Sequence, residues 1–144
     1  MTDPTPPFAA GPGEEPNRQA FVVLRHVDAA GVHYDLMIDE GQSLATWKCR
    51  SPPESASDRQ PVICTRSPDH RRMYLDYEGP ISEGRGQVNR HDHGWCTIRQ
   101  QGSAAGAISG RLAVIFGGRL LRGPYALVRS ETDDQLWSLA PARE

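Results

Sequence analysis

His33 and Asp35 stand two residues apart in the run VHYDLMI. Side chains at i and i+2 of a β-strand share a face, so the two form a natural chelating pair if the run is extended. His26 lies seven residues upstream. A hairpin that sets His26 opposite His33 brings two neutral imidazole nitrogens and one carboxylate oxygen to one end of two strands. Such a set binds a transition metal and leaves coordination positions for water or a phosphate oxygen, which is what metal-assisted hydrolysis needs. His-x-Asp by itself equally suits a surface hydrogen-bonded pair, so His26 is the residue that gives the trio its meaning.

A second group follows at His70, Arg72 and Tyr74. If one strand runs through them they share a polar face, where an imidazole, a guanidinium and a phenol could donate to phosphate oxygens. Arg66 and Arg71 lie close by, although a run of charge is ordinarily a solvated surface. His91-Asp92-His93 has ligand-type residues too, but its neighbouring glycine and charges read as a solvated turn.

The elements that must position these groups are short. Gln19–His26 is β-branched and aromatic, which suits a strand. Val32–Ile38 alternates apolar Val32, Tyr34, Leu36 and Ile38 with His33, Asp35 and Met37, and the intervening VDAAG makes a hairpin loop. Further strands are expected at Ser43–Lys48, Val62–Thr65 and Arg72–Glu78, the last on the alternation of Met73, Leu75 and Tyr77. After Gly79-Pro80 come GRGQV, GWCTI, GRLAVIF, GRLLRGPYALVR and LWSLA, apolar runs at the spacing of a sandwich or barrel, with Gly110 and Gly118 opening two strands. The expected fold is therefore mostly β: one small domain, a sandwich or barrel of about eight short strands with little helix, spanning residues 20–144. Residues 1–19, rich in proline, read as a flexible tail.

The chain's 144 residues suffice for one core, and 38% hydrophobic content concentrated after position 20 fits a folded domain with a polar tail. No run approaches the ~18 apolar residues of a membrane helix, and the N-terminus lacks a signal-peptide pattern. Cys49, Cys64 and Cys96 are too widely spaced for a metal knuckle and odd in number, which fits a reducing cytoplasm. A net charge of −2 disfavours coating of duplex DNA by bulk electrostatics but leaves room for a local basic pocket. Lys48 is the only lysine; the other cations are arginine, whose planar fork matches phosphate oxygens.

Taken in order, FVVLRH, HYDLMID, TWK, HRRMYLDYEGPISEG, GRL, LLRGPYALVR and LWSL resemble the 3′-phosphoesterase domain of bacterial DNA ligase D over nearly the whole chain after residue 19. The resemblance implies a small β-barrel with a hydrophilic crater and a manganese-dependent hydrolase, zinc or cobalt being alternatives. It implies trimming of a 3′-terminal ribonucleoside and removal of the remaining 3′-phosphate in DNA end processing. His26, His33 and Asp35 match the family's metal ligands, and His70 and Tyr74 its phosphate-side pair. The implied partners are DNA or DNA/RNA 3′ ends, with any ligase or polymerase a separate chain, no membrane, and a monomeric protein.

The chain departs from that pattern where activity is at stake. Met37 replaces the arginine expected to hold the scissile phosphate, Leu24 replaces a glutamine, and Arg25 a lysine. Arg50 stands near a displaced basic slot, so Arg50, Arg66 or Arg72 are the cations expected to compensate. Two other readings follow: a DNA-end-binding module of the same fold with little turnover, and a small-molecule enzyme or binder on a cupin-like metal barrel.

Overall fold

The structure is a computed structural model that describes residues 18–99 and 110–142. The tail expected at 1–19 lies outside the described residues up to position 17. Among the described residues nine strands follow one another: β1 (Arg18–Asp28), β2 (Gly31–Asp39), β3 (Leu44–Cys49), β4 (Val62–His70), β5 (Gly79–Pro80), β6 (Gln87–Ile98), β7 (Arg111–Gly117), β8 (Arg122–Arg129) and β9 (Leu136–Pro141). All pairings are antiparallel, in the order β1-β2-β3-β4-β9-β8-β7-β6, and β6 pairs back onto β1 to close an eight-stranded barrel. Closure removes the exposed edges that an open sheet of this length would present. The two-residue β5 adds only to the outer margin of β6.

Alternation along each strand sorts residues to the inside or outside of the wall. Inside lie Phe21 and Val23 of β1, Leu36 and Ile38 of β2, Ala45 and Trp47 of β3, and their counterparts from β4 and β6–β9, all buried in one apolar cluster. Trp47 meets Trp137 edge to face at 5.8 Å between centroids, and Phe21 meets Phe116 at 5.0 Å. Cys49 and Cys64 oppose each other in register with sulfurs 3.2 Å apart. The hydrogen bond between them and burial push the Cys49 thiol well above its ordinary pKa.

A second, smaller cluster lies on the outside of the same wall: Val22, Leu24, Met37, Leu44 and Val88. The segment between β4 and β6 covers it with Tyr74, Leu75, Tyr77 and Ile81. This is where the expectation of a strand over Arg72–Glu78 fails. Arg72–Leu75 is a 3₁₀ turn, closed by Tyr74 N–H to the Arg71 carbonyl at 3.1 Å and Asp76 N–H to Met73 at 3.2 Å. Its apolar residues pack against a sheet instead of pairing into one, so their spacing has no ladder to serve.

Three smaller corrections concern β6 and its partners. GRGQV and GWCTI are not two strands but parts of one, so His91-Asp92-His93 is mid-strand and not a solvated turn. Asp92 is buried, and its carboxylate accepts N–H groups from Arg119, Leu120 and Leu121 at 2.8–3.1 Å. Gly118 accordingly opens that turn and no strand.

Candidate active site

The β1–β2 hairpin turns through Ala29 and Ala30, with the Asp28 carboxylate accepting the Ala30 N–H at 2.8 Å and Gly31 at φ 132°. That bond lowers the Asp28 pKa below its ordinary value. The tight turn fixes the register: His26 pairs with His33 and Leu24 with Asp35. The imidazoles therefore stand side by side, 4.5 Å between centroids, on the outer face of the wall. Asp35, 6% exposed, reaches both, Oδ2 to His26 Nδ1 at 3.5 Å and Oδ1 to His33 Nε2 at 3.3 Å. One ligand atom from each residue lies within 4.8 Å of the others, and no other cluster of this kind occurs among the described residues.

The donor set suits a divalent metal. His26 Nε2 donates to the Arg85 carbonyl at 2.7 Å, which assigns the ring proton to Nε2 and leaves the Nδ1 lone pair on the side of Asp35. A ligating histidine characteristically has its far nitrogen held in this way by a carbonyl or carboxylate. The remaining ligand atoms are an imidazole nitrogen and a carboxylate, a combination that matches nitrogen-oxygen metal sites.

The trio opens onto a cavity of about 440 Å³, within the range of small-ligand sites. His70, Lys48 and Arg85 line it alongside the trio. His70 ends β4, its Nδ1 donating to the Pro68 carbonyl at 2.9 Å so that Nε2 is the unbonded ring nitrogen. Tyr74 does not share a strand with it. It stands in the 3₁₀ turn, edge to face with His70 at 5.8 Å, and lines an adjoining recess of about 100 Å³ with Met37 and Leu24.

The arginines proposed from sequence are elsewhere. Arg72 forms a two-pronged pair with Asp39, Nε to Oδ1 at 2.9 Å and Nη2 to Oδ2 at 2.8 Å, which holds that carboxyl below its ordinary pKa. Arg66 follows Val62 and Cys64 on the inner-facing phase of β4. Its guanidinium lies 4.7 Å over the Trp47 ring, bonds the carbonyls of Thr46 and Ser67, and faces Asp69 at 3.6 Å. Arg50 is exposed beyond the end of β3 and lines neither cavity.

The cations at the cavity are instead Lys48 and Arg85. Neither has a carboxylate within ion-pair distance among the described residues. Lys48 was readable from its neighbours: Trp47 and Cys49 face inward, so the residue between them faces out, opposite Asp35. Arg85 carries no such periodic signal. His91, for its part, pairs with Glu54 at 2.7 Å and packs against Tyr34, away from the trio.

With this geometry in view, comparison with known families is decisive. The family model of the DNA ligase D 3′-phosphoesterase domain matches residues 25–129, more than half of the chain. The chain belongs to the DNA ligase D 3′-phosphoesterase domain family. A search of curated proteins gave no match. The matched span runs from the residue before His26 to the end of β8, so it contains the trio, the covering segment and every residue lining the main cavity. Membership of the 3′-phosphoesterase family carries with it the general role, phosphoester hydrolysis in DNA end processing. No helix among the described residues is long and apolar enough to cross a membrane.

Proposed function

We propose that this protein removes phosphate from the 3′ ends of DNA strands, and a 3′-terminal ribonucleoside ahead of it, with Mn²⁺ held by His26, His33 and Asp35. The observation that carries the reading is the convergence of three ligand atoms within 4.8 Å at a cavity also lined by Lys48 and Arg85, neither of them in an ion pair among the described residues. A cation outside any ion pair, beside a metal-type donor set, is suited to an anion, and a strand end bearing a phosphate is the anion the family handles.

Each residue has a share in the work. Asp35 would supply the negative charge that balances a bound metal, and His26 and His33 would supply its nitrogen ligands. A divalent metal contributes Lewis acidity toward the phosphoryl oxygens and lowers the pKa of a water molecule. His70, turned by its Pro68 bond, offers Nε2 to a non-bridging oxygen or to the leaving group, and Tyr74 steadies its ring. Lys48 adds a point charge opposite Asp35.

A second reading, an end-binding module with little turnover, is favoured by one observation. Met37, in the position of the family arginine, is only 1% exposed and packs into the outer apolar cluster. Losing a charge-assisted contact to the transition state lowers a rate roughly a hundredfold or more. Incubation of labelled primer-templates ending in a 3′-phosphate or a 3′-ribonucleotide, with Mn²⁺, separates the two. Product from the wild type and none from His33→Ala supports the phosphoesterase; tight end binding without product supports the module and ends the enzymatic claim.

A further inference from the structure

The face that lacks an arginine at Met37 receives one from another part of the chain. Strand β2 offers no cation there, and Arg66 and Arg72 are each engaged by an aspartate. Arg85 lines both the main cavity and the adjoining recess, and its partners are neutral: Nε donates to the Ser82 carbonyl and Nη2 to Ser82 Oγ, both at 3.0 Å. Among the described residues its guanidinium is in no ion pair, although Asp28 and Asp35 line the same cavity, and its present bonds are of the weaker, neutral-acceptor kind.

The turn that carries Arg85 is built to sit where it does. Ile81 N–H donates to the Gly86 carbonyl at 2.7 Å, closing residues 81–86 into a compact loop. Gly86, at φ 96°, lies so close to the end of β1 that a Cβ there would fall 2.1 Å from the Val27 carbonyl oxygen. That approach places the Arg85 carbonyl on His26 Nε2. One residue thus fixes a metal-type ligand with its main chain and presents a guanidinium to the cavity with its side chain.

We propose that Arg85 grips the non-bridging oxygens of a strand's 3′-terminal phosphate, taking the part that Met37 cannot. The guanidinium exchanges two neutral bonds to Ser82 for charge-assisted, forked bonds to phosphate. This rests on the 3′-phosphoesterase reading above and adds the residue that selects a phosphorylated end.

Fluorescence anisotropy tests it with the metal-free protein in chelator, using a 3′-phosphorylated DNA oligonucleotide and its 3′-hydroxyl twin. Mn²⁺ affinity is measured separately by calorimetry. The wild type is expected to prefer the phosphorylated end. Arg85→Ala should weaken binding of that end about tenfold, the size of one lost charge-assisted contact, and leave the hydroxyl twin unaffected. Arg85→Lys should fall between, and Mn²⁺ affinity should stay within about twofold in both, because the group holding His26 is a main-chain carbonyl. A wild-type preference that survives in Arg85→Ala overturns the role of Arg85 and leaves the phosphoesterase reading standing. A wild type without preference overturns both. Loss of Mn²⁺ affinity in Arg85→Ala also overturns it, since the residue would then act by seating His26.

Discussion

The two faces of the β1–β2–β3 wall are written by alternate residues of the same three strands, yet they do opposite things. The inner face carries Phe21, Val23, Leu36, Ile38, Ala45 and Trp47, all buried. On the outer face, Val22, Leu24, Met37 and Leu44 are buried only where the segment before β6 covers them. Where that cover ends, the same face carries His26, His33, Asp35 and Lys48. A strand's second face can thus hold a site without weakening the core, because burial there depends on a separate covering segment and not on barrel closure.

The sharpest way to break this comparison is at the inner face. Trp47→Ala removes a fully buried indole that meets Trp137 edge to face and supports Arg66, and should cost about 3–5 kcal/mol, read from urea unfolding. His33→Ala, on the outer face, should leave the metal-free melting temperature nearly unchanged. With Mn²⁺ at about a hundred times its Kd the wild type should gain about 2.7 kcal/mol that His33→Ala lacks, which a thermal melt with and without Mn²⁺ detects.

Met37→Arg tests the covered part of the outer face. An arginine inserted among Leu24, Leu44 and Val88 should cost about 2 kcal/mol in urea unfolding, because the cover gives the charge no water. A stability equal to wild type would mean the cover opens easily toward the recess beside it. The smallest effect is expected from Arg72→Ala, a lowering of the melting temperature by about 1–2 °C at neutral pH, since exposed ion pairs contribute little. Arg72 lowers the folded-state pKa of Asp39 below the ordinary 3.8, so this contribution is complete above that pH. It disappears as the pH falls through the lowered value, and the gap between wild type and Arg72→Ala should close there.

Much of the site was legible because it rests on local rules. The phase of His33 and Asp35 follows from strand alternation, and the pairing of His26 with His33 follows from a two-residue turn at Ala29-Ala30. The covering segment was not legible, since Met73, Leu75 and Tyr77 alternate like a strand while Leu75 and Tyr77 pack on top of one. Charge placement failed for a related reason. Arg66 and Arg72 are near His70 in sequence, but strand phase turns Arg66 inward and Asp39 captures Arg72. Arg85 reaches the cavity through a non-periodic turn whose seating depends on Gly86 lying against a distant strand, a contact that sequence spacing does not encode.

The most direct test of the central claim titrates Mn²⁺ into the wild type and His33→Ala while the resonance of free Mn²⁺ is followed by electron paramagnetic resonance and phosphate release from a 3′-phosphorylated primer is followed in parallel. One ion taken up per wild-type chain, with phosphate release saturating over the same Mn²⁺ range and both signals absent in His33→Ala, is the expected result. Phosphate release undiminished in His33→Ala, or Mn²⁺ uptake by the wild type with no phosphate released, would contradict it.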